Sequence, residues 1–250
     1  MSQTAIIMGT VGQIDDSVPT TIERISEASY DGVELGVRDY DFETVVETLD
    51  TVNLSVTSIM TGLDHIREPK DELLETCRAL DCKRVVLGYL DESYFKSPTA
   101  TAETAKLLNE CAAVLDDHGL DLCYHNHDHE FTSFGDRTAF DILLEHLDED
   151  IEFEIDVGWV GVGGENPVAV LERHGDRVPL VHFKDMVFET GDPVALGEGD
   201  LDVETVAKTA AEQGVEWLVY EDERDSDGVE KMHHGSRELA KLTVRGGDAR

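Results

Sequence analysis

The chain has 250 residues, 40% of them hydrophobic and 6% aromatic, with 55 acidic against 20 basic side chains and a net charge of −35. That apolar share is enough for the packed core of one large domain, so acidity here does not mean disorder. The charge argues against nucleic acid and anionic membranes, which are bound through clustered Lys and Arg, and no apolar run approaches the ~20 residues of a membrane helix.

Short apolar runs alternate with amphipathic segments throughout. Residues 5–9 read as a strand, and Pro19 opens a helix with Ile22 and Ile25 on one face. Asp31-Gly32 stops that helix before a second strand at Val33-Glu34-Leu35. Asp41 caps a helix in which Phe42, Val45, Val46 and Leu49 recur at the spacing of one buried face. A third strand lies near 54–60, a helix carries Leu73, Leu74, Cys77 and Leu80, and Val85–Tyr89 is the fourth strand. Leu107, Leu108, Cys111, Val114 and Leu115 form a helical stripe that Gly119 ends, because glycine accepts positive φ. The fifth strand is 121–125, a stripe of Phe140, Leu143, Leu144 and Leu147 follows, and the sixth strand is 152–157. Asn166-Pro167 starts a helix as N-cap and first residue, ahead of a seventh strand at 179–183. Val203, Val206, Ala207 and Ala210 lead to Gly214, Trp217–Tyr220 is the eighth strand, and a last helix lies around 229–242.

Eight strand–helix units without a linker predict one α/β domain over 1–250, a single (β/α)8 barrel, with 244–250 as a flexible tail. An open doubly wound sheet is disfavoured, since no Gly-x-Gly-x-x-Gly or Gly-x-x-x-x-Gly-Lys follows an early strand. Cys77, Cys82, Cys111 and Cys123 form no Cys-x-x-Cys and sit among apolar neighbours, as reduced thiols acting as small hydrophobes. Met1–Met8 has neither a basic n-region nor a cleavage site, so a cytoplasmic protein is expected. Acidic residues spread along the whole chain resemble those of proteins from salt-loving organisms, where at about 1 M salt a Debye length of roughly 3 Å screens self-repulsion.

Active sites of such barrels lie at the C-terminal ends of the strands. The first half places Gly9-Thr10, Glu34, Ser58 and Tyr89 there, with His65 in a loop. The second half is richer: His125-Asn126-His127-Asp128-His129-Glu130, Asp156-Val157-Gly158-Trp159, His182-Phe183-Lys184-Asp185 and Glu221-Asp222-Glu223. Imidazoles mixed with carboxylates suit manganese, zinc, cobalt or nickel, whereas magnesium and calcium favour all-oxygen shells. An ion held this way keeps positions open for the oxygens of a polyol.

Tyr-His-Asn-His-Asp-His-Glu-Phe (124–131), Asp-Val-Gly-Trp (156–159), Pro-Leu-Val-His-Phe-Lys-Asp (179–185) and Leu-Gly-Glu-Gly-Asp-Leu-Asp (196–202) resemble the sugar phosphate isomerase/epimerase family. So do Trp-Leu-Val-Tyr-Glu-Asp at strand eight and Asp-Gly-Val-Glu-Leu at 31–35. This is the xylose isomerase-like barrel superfamily, which also contains inosose dehydratase, ketose 3-epimerases and endonuclease IV. With its charge, the chain reads as an acidic member of haloarchaeal type. The resemblance implies a divalent metal on Asp156, His182 and Glu221, with a glutamate from strand five as the fourth ligand. This chain departs there, because His125-Asn126-His127 stands where relatives read Glu-Asn-His. His125 is taken as the ligand with His127 beside the substrate; His127, Glu130 or a three-ligand site are the alternatives.

The resemblance implies isomerisation or epimerisation of a sugar or sugar phosphate, a ketose or a cyclitol, through a cis-enediolate, with Glu221 or Glu130 carrying the proton. Lys184 binds a substrate oxygen or an enolate, or else pairs with Asp185 or Glu221. Trp159 floors the sugar pocket or packs, and Glu34 binds a hydroxyl, acts as a base or closes the barrel wall. A dehydratase or lyase on the same site, of the inosose dehydratase or 3-keto-sugar kind, is the alternative. Behind it stand an endonuclease IV-like activity and a non-catalytic sugar-binding barrel. No basic cluster marks a phosphate pocket, with only Lys184 and Arg38 near the mouth, and association with copies of itself is left open.

Overall fold

The computed structural model describes residues 2–38 and 40–245. Eight parallel strands close a barrel: β1 (Gln3–Ile7), β2 (Gly32–Gly36), β3 (Ser55–Thr61), β4 (Arg84–Leu87), β5 (Asp121–His125), β6 (Glu152–Asp156), β7 (Leu180–Phe183) and β8 (Trp217–Tyr220). Each strand pairs with the next in sequence, and β8 pairs back onto β1 from Gln3↔Trp217 to Ile6↔Tyr220. Around them lie α1 (Val18–Glu27), α2 (Phe42–Val52), α3 (Asp71–Ala79), α4 (Pro98–Asp116), α5 (Ala139–His146), α6 (Pro167–His174), α7 (Val203–Gln213) and α8 (Gly228–Arg245). The single barrel read from the alternation of apolar runs is therefore the fold.

The ends of the helices follow from local chemistry. Asp41 accepts from Thr44 N and Asn166 from Val168 N, each satisfying an amide that the first turn leaves without a partner. Gly119 follows α4 with φ of +72°, where a side chain would be strained. The first strand lies two residues earlier than the apolar run suggested, because Met8–Val11 turns into a short 3-10 helix. One-turn helices at Leu63–Arg67 and Val157–Val162, and small hairpins within 133–138 and 185–194, were not foreseen, being too short to show a period. Of the tail expected over 244–250, residues 246–250 lie outside the described residues.

Two apolar clusters hold the layers together. A large one lies between helices and strands, and a small one of Ala5, Val86, Cys123, Leu180, Trp217 and Val219 fills the lower barrel. All four cysteines are free and buried, as read. Above the small cluster the interior turns polar, and that layer is the site. Among the described residues no helix is long and apolar enough to cross a membrane.

Candidate metal centre

Strand alternation aims every second side chain of β6 inward, so Glu152, Glu154 and Asp156 share a face. Glu152 pairs with Arg84 low in the barrel at 2.8 Å, and Asp156 ends the strand. In register, His125 lies beside Glu154 and Asp156 beside His182. Ligand atoms from His125, Asp156, His182 and Glu221 all lie within 4.8 Å of one another. These are the four residues the sequence nominated for metal, and His125 is the member of its segment that joins them.

Asp156 is held from both sides. Asn126 accepts from its amide at 3.0 Å and donates to its carbonyl at 3.2 Å. Its Oδ1 caps the short helix by accepting from Trp159 N at 2.9 Å, which leaves Oδ2 buried without a hydrogen bond. Gly158 permits the turn, since a Cβ there would meet Lys184 O at 2.8 Å. Five of the seven buried polar side-chain atoms without hydrogen bonds among the described residues belong to this site: Glu34 Oε1, His127 Nδ1, Glu154 Oε1, Asp156 Oδ2 and Trp159 Nε1. Orphaned buried atoms are costly, and their concentration marks a place built for something else to bind.

The electrostatics agree. Burial pushes Asp156 up to about 7, a cost that a cation would remove. Burial and the neighbouring His182 push His125 down to about 3, so it offers a neutral lone pair. Burial works against charge on His182 too, but Glu154 and Glu34 override it and hold the imidazole well above its ordinary range. Burial likewise works against charge on Glu221, which Lys184 and His182 hold well below the usual carboxylate range. Two imidazole nitrogens and two carboxylates, one of them offering an Asp156 Oδ2 free of hydrogen bonds, fit a divalent transition metal.

The remaining predicted residues divide. Lys184 donates to Glu221 at 3.1 Å and pairs with Glu223 at 2.7 Å and Asp156 at 3.7 Å, its ammonium 4.8 Å from the Trp159 ring centre. It is not paired with Asp185, whose carboxylate instead accepts from the amides of Gly197, Gly199 and Leu201 and anchors that loop. His127 packs beside Trp159 with Nδ1 unpaired, in position for a substrate hydroxyl. Exposed Tyr89 stands edge-on to His127 and borders a cavity of about 410 Å³ that His65 and Tyr94 also line. Glu130 is not brought to the cluster: Oε1 accepts from Tyr124 OH at 2.5 Å and Oε2 from His127 N at 3.0 Å, which folds the loop after β5. Glu34 lies beneath the centre, its Oε2 2.7 Å from His182 Nε2, and burial together with Glu154 pushes it up to about 7. Glu154 is the residue sequence reading passed over. The missed signal is Glu-Phe-Glu-Ile-Asp at 152–156, a period of two that sets three carboxylates facing inward.

A model of the xylose isomerase-like TIM barrel family matches residues 22–242. The chain belongs to that family. It is 28% identical to the inosose dehydratase of Clostridium beijerinckii over 47% of this chain and 45% of that one. Against an inosose dehydratase of Clostridium botulinum it is again 28% identical, over 86% of this chain and 88% of that one. A sugar phosphate isomerase/epimerase from Parabacteroides distasonis superposes with a TM-score of 0.79 at 18% identity, covering 99% and 95% of the two chains. The IolI protein, solved with a bound zinc atom, superposes with a TM-score of 0.72 at 13% identity over 98% and 97%. At these identities the two superpositions establish the fold alone.

Proposed function

We propose that the chain is a divalent-metal-dependent dehydratase of an unphosphorylated polyhydroxylated ketone, a cyclitol ketone of the inosose class or a keto sugar. The sequence reading put isomerase or epimerase first, and the relatives named inosose dehydratase support its alternative better. The observation that carries this reading over epimerisation is the distribution of carboxylates, and the names of the relatives favour it over isomerisation. Glu34, Glu154 and Asp156 are fully buried, and Glu221 alone in the cluster reaches toward the mouth, with 14% of its side chain exposed.

Returning a proton to the opposite face of a carbon calls for a second accessible carrier. A syn elimination needs one. Glu221 removes the proton next to the carbonyl, and the electron pair left behind forms the enolate. As the carbonyl re-forms, the pair becomes the new C=C bond and expels the β-hydroxyl, which takes the same proton from Glu221 and leaves as water. Lys184 places a positive charge beside that chemistry, and His127 Nδ1 and Trp159 Nε1 hold substrate hydroxyls. A bound divalent ion supplies Lewis acidity to the carbonyl oxygen. An unphosphorylated substrate fits the charges, since carboxylates surround Lys184 and Arg38 lies 5.9 Å over the Tyr40 ring.

The stripped chain reloaded with manganese, zinc or cobalt and mixed with cyclitol ketones and keto sugars should yield a product with enone absorbance, one water lighter by mass. Deuterium wash-in with a new ketose or epimer and no loss of water would establish the isomerase reading instead. We also propose a salt-rich working environment, from the net charge of −35. The melting temperature should rise steeply with KCl, and a flat response would remove that proposal.

A further inference from the structure

A carboxylate sealed in a barrel is expensive unless something is bonded to it. Glu154 is fully buried in the middle of β6, in register with His125 on one neighbouring strand and Leu180 on the other. Its Oε2 lies 3.0 Å from His125 Nδ1 and its Oε1 3.2 Å from His182 Nε2. The two rings lie 4.7 Å apart, centre to centre, so one side chain spans both. A neutral imidazole, the form a bound ion requires, donates from one nitrogen and presents a lone pair on the other. Donation from Nδ1 to Glu154 leaves His125 Nε2 facing Asp156 Oδ2 at 3.9 Å, and donation from Nε2 to Glu34 leaves His182 Nδ1 facing Glu221 Oε2 at 3.1 Å. Those are the sides on which the four ligand atoms converge.

We propose that Glu154 is the positioning residue of this centre: its hydrogen bond fixes the His125 ring in the tautomer that ligates, and its other oxygen sets a carboxylate beneath His182. The proposal rests on the reading that the four converging residues hold a divalent ion. His182 has a second support in Glu34, 2.7 Å from the same nitrogen. Among the described residues His125 Nδ1 has Glu154 alone, so the loss of Glu154 falls first on His125. Glu34, Glu154 and His182 could instead cradle a second ion of their own, because their ligand atoms also lie within 4.8 Å of one another. The single hydrogen of His182 Nε2 is already given to Glu34 Oε2, which favours one ion and a supporting carboxylate.

The test measures Zn²⁺ and Co²⁺ binding to the stripped full-length chain by competition with a chelator, and records the absorption bands of the Co²⁺ form. Wild type should take up one ion. Glu154→Gln and Glu154→Leu should bind it about 10–100-fold more weakly, and their Co²⁺ bands should move as an imidazole turns out of the coordination sphere. Metal-free Glu154→Leu should melt lower than wild type, because His125 Nδ1 loses its partner, and binding is titrated well below that melting temperature, so weakened binding is not unfolding. Glu154→Gln, close in shape, supplies the comparison if the leucine variant does not fold. His125→Glu should bind weakly while Glu154 faces it, and Glu154→Leu in that background should recover about tenfold or more of the affinity. Wild-type affinity and spectrum in both Glu154 variants would overturn the positioning role and leave the metal centre standing. Two ions per wild-type chain would make Glu154 a ligand rather than a support. No ion in wild type would overturn the centre and the proposal together.

Discussion

Replacing Glu221 by glutamine lowers kcat by about 10²–10⁴-fold, the usual contribution of a positioned acid–base group. That corresponds to roughly 3–5 kcal/mol of transition-state free energy. Glutamine keeps an oxygen where the carboxylate stood and so retains a donor to the ion, but an amide cannot accept and return a proton. Two measurements on one preparation separate those roles: metal content by elemental analysis, and kcat together with exchange of the proton next to the carbonyl in deuterium oxide. The proposed role requires that the metal stay, that exchange and turnover fall together, and that KM change little. Turnover equal to wild type at full metal content would remove Glu221 as the proton carrier. Loss of metal in step with turnover would instead make it a ligand only. Glu130→Gln is the companion control. Because Glu130 is bonded to Tyr124 and the His127 amide, its loss should lower stability and leave the proton-transfer step intact.

Why the strand-end residues could be read from sequence, and Glu154 could not, has a physical origin. In a parallel barrel each strand is a short buried apolar run and its polar end faces the mouth, so Asp156, His182 and Glu221 declare themselves by position. Glu154 sits two residues before a strand end, at a position that in most barrels fills the interior with apolar side chains. A search confined to strand ends passes over it. Glu34 was in view, but whether it closed the wall or served the site depended on His182, 148 residues away. His125, His127 and Glu130 all lie within six residues. Which of them turns inward is decided by register with β6 and by the Tyr124 hydroxyl, and neither leaves a local mark in the sequence. The β2–β3 register also shifts between Val33 and Glu34, an irregularity beside the site that strand periodicity does not reveal.

Lys184→Met is expected to destabilise the metal-free protein by about 3–5 kcal/mol, the cost of removing one partner from a buried ion pair. For a chain of this size that is a drop in melting temperature of roughly 6–20 °C. Methionine fills much of the same slot over Trp159, so the effect reports charge more than volume. Lys184 is 1% exposed, and its close buried partners are Asp156 and Glu221; the pair with Glu223, which is 48% exposed, is screened by water and adds little. Without the ammonium, Asp156 and Glu221 face each other with His182 as the remaining positive neighbour. A divalent ion bound to those same carboxylates would replace the missing charge. Loading the ion should therefore raise the variant's melting temperature by more than it raises that of wild type. Binding itself adds about 2.7 kcal/mol at a hundredfold excess over Kd in either protein, provided the affinities match. The discriminating quantity is the difference between variant and wild type, measured by thermal melts with chelator and with saturating zinc or manganese. A gap that narrows on loading places the ion among the partners of Lys184. A gap that is the same with and without metal would put the ion elsewhere, and the ligand set of His125, Asp156, His182 and Glu221 would have to be abandoned.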